Sequence, residues 1–210
     1  GGYYGAYGAS TSPGVGLAWR QQTENFYDPK FTVSASYNAS NGAKSNPRTG
    51  GGIMTDSSKG RFNTQIAYGS PQWNISAAYQ YAQDGAFKGY GTITGKQNTY
   101  WDATNLTYAT TSYTEVNSVA LRAWWQPKES GWIPSISTGW GLSSFGNPNG
   151  RLDYTGAQKK ASSTSQSWFV GLNWKDAFMK GNLLGAAIAQ SHFTTQIQGN
   201  EYPDDGNYSM

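Results

Sequence analysis

Apolar and polar residues alternate with a period of two in eight separate segments of this chain, and that period is the signature of strands with two unlike faces. Val15, Leu17 and Trp19 make the first apolar face. Phe31, Val33, Ala35 and Tyr37 make the second, with Thr32, Ser34, Ser36 and Asn38 between them. Phe62, Ile66 and Tyr68 follow, interleaved with Asn63, Gln65 and Ala67, and then Trp73, Ile75, Ala77, Tyr79 and Tyr81. In the second half, Val119, Leu121, Ala123 and Trp125 alternate with Ser118, Ala120, Arg122 and Trp124. Ile136, Thr138, Trp140 and Leu142 alternate with Ser137, Gly139, Gly141 and Ser143. Trp168, Val170, Leu172 and Trp174 form the seventh segment, and Leu184, Ala186 and Ile188 a weaker eighth. Most of these segments reach the ~9–11 residues that a tilted strand needs to cross a membrane.

The connections have a rhythm of their own. Residues 22–29, 69–71, 127–131 and 176–181 are short, whereas 39–60, which is rich in Gly, Asn and Ser, 82–114 and 144–165 are long. Short and long alternate throughout once 103–109 is taken as loop. An up-and-down antiparallel barrel has tight turns at one rim and long loops at the other. A β-sandwich has no reason to keep that order. Aromatic residues flank the short turns, and Tyr68, Trp73, Trp125, Trp132, Trp174 and Phe178 are the candidates for a girdle at a lipid–water interface. The expected fold is therefore all-β: an up-and-down antiparallel transmembrane β-barrel with about eight strands in view.

Composition agrees. Of 210 residues 13% are charged and 15% aromatic, with 27 Gly and no Cys. A soluble domain carries about a quarter charged residues, and a disordered chain carries few aromatics. Eight Leu and four Glu leave little material for helices. The mean hydropathy of −0.64 suggests solubility only if the two strand faces are averaged together. Without Cys there is no disulfide framework and no thiolate metal site. The net charge of +3 does not point to nucleic acid, and Lys159-Lys160 is the only basic pair of note. The N-terminus G-G-Y-Y-G-A-Y-G-A-S has neither a basic nor an apolar leader region, so the chain reads as mature or as a fragment.

Alternation alone does not say which face meets what. The polar positions are small and neutral, among them Ser34, Ser36, Ser76, Ala78, Ser118, Ala120, Ser137, Gly139 and Gly141. A face exposed on a soluble sheet would carry Lys and Glu there, so a water-filled lumen suits them better. The charges at lumen-facing parity share one sign: Arg20, Lys30, Arg61, Arg122 and Lys175. Like charges along a pore bias which ions enter. The expectation is a mild preference for anions, with Arg122 mid-strand and nearest the constriction; contact of the other four with headgroups or solvent is equally consistent with their places near strand ends.

Residues for bond-making chemistry are missing. His192 is the only histidine, and no G-x-S-x-G elbow accompanies it. The acidic residues are dispersed, so no metal site is expected, and D-D-G-N at 204–207 reads as a turn before it reads as a Ca²⁺ loop. The Gly-rich run 89–95 precedes no helix that would offer its N-terminus to a phosphate. Neither catalysis nor a cofactor is expected.

Three strings resemble a known family. Q-P-K-E-S-G-W-I-P-S-I-S-T-G-W-G (126–141), S-W-F-V-G-L-N-W-K-D-A-F-M-K-G-N-L-L-G-A-A-I-A-Q (167–190) and P-D-D-G-N-Y (203–208) are similar to cyanobacterial outer-membrane porins of the carbohydrate-selective porin family, whose members are often described as iron-uptake porins. S-K-G-R-F-N-T-Q-I-A-Y (58–68) matches more weakly, and the resemblance is thin before residue 56. It implies a barrel in the cell outer membrane that passes small hydrophilic solutes and inorganic ions by diffusion, in contact with lipid and assembled as a trimer. In the family, a surface-layer-homology domain precedes the barrel, and P-D-D-G-N-Y leads into a further strand. Residues 1–210 are accordingly expected to be an incomplete porin domain, an internal piece of a larger barrel. Stretch 82–114, the longest loop, is the candidate to fold inward and narrow the pore. The competing expectation is a non-channel surface β protein whose long loops bind polysaccharide or another partner through Tyr100, Trp101, Tyr108 and Tyr113.

Overall fold

A computed structural model describes residues 13–44, 52–55, 58–83, 99–102, 107–110, 115–129, 132–145, 162–197, 200–201 and 208–209. Eight strands make up the main sheet: β1 (Gly14–Arg20), β2 (Lys30–Ala39), β3 (Gly60–Ser70), β4 (Trp73–Gln83), β7 (Glu115–Trp125), β8 (Ser135–Phe145), β9 (Ser162–Lys175) and β10 (Leu183–Ile197). Each pairs antiparallel with the next in the chain, so the sheet is up-and-down from β1 to β10. A hairpin, β5 (Thr99–Asp102) with β6 (Thr107–Thr110), forms a second sheet of its own between β4 and β7. The two short strands β11 (Asn200–Glu201) and β12 (Tyr208–Ser209) both pair with β10, on the edge away from β9. No helix occurs among the described residues.

All eight expected segments are strands, and short and long connections alternate as the sequence predicts. Some boundaries differ. Gly69 and Ser70 belong to β3, and the turn is Pro71-Gln72 alone. A side chain at 69 would put its Cβ 2.3 Å from the Trp73 carbonyl, so the tightness of this hairpin requires glycine. The provisional loop at 103–109 overlaps β6, but the hairpin stays out of the main sheet and β4 pairs directly with β7. The weak eighth segment is the longest strand, 15 residues, with register shifts against β9 between Gln190 and Phe193 and again near Gln196. Bulges of this kind let a strand continue past a break in its pattern.

The sheet is open. β1 has no partner but β2, and β1 and β10 are not paired with each other, so the described residues do not close into a barrel. Hydrogen-bonded rows run obliquely across it. One row passes through Arg20, Thr32, Ala67, Ser76, Arg122, Gly139, Phe169 and Ala189. Arg20 ends β1, whereas Ala189 stands six residues in from Leu183, the start of β10. Six residues over seven strand-to-strand steps correspond to strands tilted by about 30°.

The described residues form no conventional core. The only buried hydrophobic residues among those described are Ala39, Ala82 and Val116. The apolar face is instead the exposed one, from Leu17 at 80% to Leu121 at 48% and Ile188 at 43%. The buried side chains lie mostly on the opposite, polar face.

Candidate functional site

Because register is continuous across the sheet, each face can be read row by row. On the apolar side Val15, Leu17 and Trp19 stand opposite Tyr37, Ala35 and Val33, and the pattern propagates without a slip through Ile66, Ala77, Leu121, Trp140 and Trp168. A one-residue slip anywhere would turn every later side chain to the other face. None occurs before the bulge in β10. The outcome is an apolar surface shared by eight strands and uncovered throughout.

At the short-turn rim of that surface the predicted girdle residues fall into two groups. The Phe31 and Tyr68 rings lie 4.4 Å apart, and Tyr68 meets Trp73 edge-on at 5.5 Å. Trp73 is directly opposite Trp125 in register. Further along, Trp132 meets Phe178 at 5.9 Å with perpendicular rings, and the Trp174 indole donates to the Trp132 carbonyl (3.0 Å). Such edge-to-face pairs are the favoured aromatic geometry. The rim is tied across strands as well: the Gln126 side-chain amide donates to the Pro71 carbonyl and its backbone N–H to Gln72, both at 2.7 Å. Ile133 and Met179, in the turns beside Trp132 and Phe178, are exposed, as is Leu183, whose partner in register is Lys175 on the polar face. Their own parity or turn position hides them from a period-two reading.

The polar face is graded. Nearest the long loops, Asn38, Arg61, Ala82 and Val116 share a row. The next row toward the short turns on this face joins Ser36, Asn63, Gln80, Ser118, Ser143 and Ser165 across six strands. It is knit by Gln80 Nε2 donating to Asn63 Oδ1 (2.8 Å) and by a 2.8 Å bond between the Ser118 and Ser143 hydroxyls. Asn63, Gln80 and Ser143 are only 6%, 5% and 2% exposed. Uncompensated, burying such groups is costly, so hydrogen-bonded belts of this kind are the stable form of a polar interior. Single-residue reading identifies the serines as small but not as a belt, because the belt exists only across strands.

The five basic candidates are spread over this face rather than gathered. Arg20, Lys30 and Lys175 lie at the short-turn ends of their strands, and the Lys30 ammonium sits 5.5 Å from the Phe26 ring centroid. Arg122 is in the middle of the face, opposite Ser76 and Gly139. Arg61 alone of the five is buried. Phe169 was not anticipated. It points to the polar side between Ser167 and Gly171, across from Gly139, with the Arg122 guanidinium 6.0 Å from its ring centroid. The glycine opposite it is the sequence signal for an aromatic neighbour, and only the register of β8 with β9 reveals the pairing.

His192 lies in the irregular stretch of β10. Among the described residues no group of three or more His, Asp or Glu is placed to hold a metal ion. The 89–95 and 204–207 runs, and most of the 82–114 stretch with its expected inward fold, lie outside the described residues. Comparison with protein-family models, curated proteins and solved structures returns no match for this chain.

Proposed function

We propose that this chain is part of the wall of an outer-membrane porin, a transmembrane β-barrel larger than these eight strands, along whose polar face small hydrophilic solutes and inorganic ions diffuse. One observation carries the reading: the sheet is inverted, with its apolar face uncovered on every strand and the polar face of its central strands sheltered toward the long loops, where Asn63 and Gln80, and Ser118 and Ser143, are hydrogen-bonded to each other. Water penalises that arrangement, and lipid against the apolar face removes the penalty. The aromatic rim and the strand tilt support it. A barrel wider than eight strands is proposed because closing eight strands alone would fill the interior with side chains. The family proposed is the carbohydrate-selective porins of cyanobacteria, on the strings at 126–141, 167–190 and 203–208. A trimer is the assembly proposed on the same resemblance.

The experiment is recording, in planar lipid bilayers, from the purified whole porin, this chain together with the strands that complete its barrel. Stepwise conductance is expected; a silent membrane at saturating protein would overturn the reading. In a KCl gradient, Arg122→Glu is expected to move the reversal potential toward cation preference, and an unmoved potential would remove Arg122 from selection. A second reading, a surface β protein that binds polysaccharide through its loops, draws on the β5–β6 hairpin, where Trp101 stands opposite Tyr108. Silence in the bilayer with saturable binding to polysaccharide beads would favour it.

A further inference from the structure

We propose that Phe169 sets the ion selectivity of the polar face by fixing the position of the Arg122 guanidinium, with Gly139 as the notch that holds the ring. The inference rests on the diffusion reading above. Three facts of one hydrogen-bonded row support it. Phe169 breaks the small, polar character of its face, where Ser167 and Gly171 are its neighbours on β9. Directly opposite, Gly139 leaves no side chain, and a Cβ built there would lie 2.3 Å from the Phe169 ring. The ring therefore fills the space over Gly139 and reaches toward β7. There the Arg122 guanidinium, in register with Gly139, stands 6.0 Å from the ring centroid.

An arginine on an open wall samples many rotamers, and its charge is smeared over the length of its side chain. A planar guanidinium close to an aromatic ring is drawn to the ring's negative face and stacks on it. Phe169 thus gives the Arg122 guanidinium a fixed aromatic neighbour at one level of the wall. The field a passing ion meets depends on that level. A phenyl ring covering a cross-strand glycine also shields the exposed backbone there, but that role alone does not require a cation beside it. Phe169 is a positioning residue in this scheme, and Arg122 is the group that meets the solute. The solutes selected are small anions.

The test is the reversal potential, in a KCl gradient, of the reconstituted whole porin that contains this chain. Phe169→Leu is expected to lose the larger part of the anion preference that Arg122→Gln abolishes. Phe169→Trp, which keeps an aromatic face, is expected to retain it. Gly139→Ala is expected to act like Phe169→Leu, because the added methyl displaces the ring without touching any charge. In the Arg122→Gln background, Phe169→Leu is expected to change nothing further. A wild-type potential in Phe169→Leu, or an equal shift with and without Arg122, would overturn the inference while leaving the channel standing. A silent wild type would overturn the channel, and this inference with it.

Discussion

Gln83 illustrates how much one side chain organises at the long-loop rim. Its carboxamide oxygen accepts from the Ser58 hydroxyl (2.6 Å) and the Gly60 N–H (2.7 Å), and its nitrogen donates to the Thr55 carbonyl (3.0 Å). The Tyr37 hydroxyl adds a 3.3 Å bond to the Ser58 hydroxyl and accepts from the Met54 N–H at 3.0 Å. The network pins the end of the 40–59 connection against the sheet. Met54 and Lys59 both have positive φ, 57° and 49°, which non-glycine residues adopt only when their surroundings hold them there. Removing a partner from a buried hydrogen bond costs about 1–3 kcal/mol. Gln83→Ala is therefore expected to free the segment and raise the rate of tryptic cleavage after Lys59 by on the order of tenfold, read by limited digestion. Cleavage at the wild-type rate would mean the segment is held by something else. Nothing in the sequence around Gln83 announces this role, because Tyr37, Ser58 and Gln83 come from two strands and a loop and meet only after both strand pairings form.

At the scale of the strand, the two faces make opposite demands on a charge. Leu121, mid-strand on the apolar face, is 48% exposed, and its neighbour Ala120 faces Ala78 and Gly141 on the polar side. An arginine at the midplane of a lipid-facing strand costs roughly 2–4 kcal/mol, whereas one on a lumen face costs little. Leu121→Arg is accordingly expected to lower the folded fraction after dilution from urea into lipid vesicles, and Ala120→Arg to leave it near wild type. A water-exposed apolar face would give the reverse order, with Leu121→Arg harmless. The strands themselves were legible in the sequence because a period of two is a local property, set within each segment by residues such as Trp73, Ile75, Ala77 and Tyr79. What escaped were features written between strands. Phe169 looks like an ordinary strand aromatic until the register puts it over Gly139, and Gly69 looks like a turn residue until the hairpin closes at Pro71. The length of β10 escaped for a related reason. Its pattern is broken by bulges at 190–193 and near 196, and a strict alternation reading stops at the first of them.

For the molecule as a whole, the tilt of the strands has a consequence in bilayer physics. From Trp73 at the short-turn rim to Tyr81, the last aromatic of that face in β4, the chain climbs eight residues. At ~3.3 Å per residue and a tilt of about 30°, the oily belt is about 23 Å high. That is close to the ~25 Å band of outer-membrane barrels and below the ~30 Å of an average bilayer. Each ångström of hydrophobic mismatch costs a fraction of a kcal/mol, and a rigid, cross-linked wall of strands has little freedom to stretch. Insertion from urea is therefore expected to be efficient in short-chain lipids such as dilauroyl phosphatidylcholine and to decline steadily as the acyl chains lengthen to eighteen carbons. Equal yields across the series would mean that the belt is not what meets the lipid. On the membrane reading proposed above, the stagger between Arg20 and Ala189 becomes a ruler, matching this sheet to thin membranes and against thick ones.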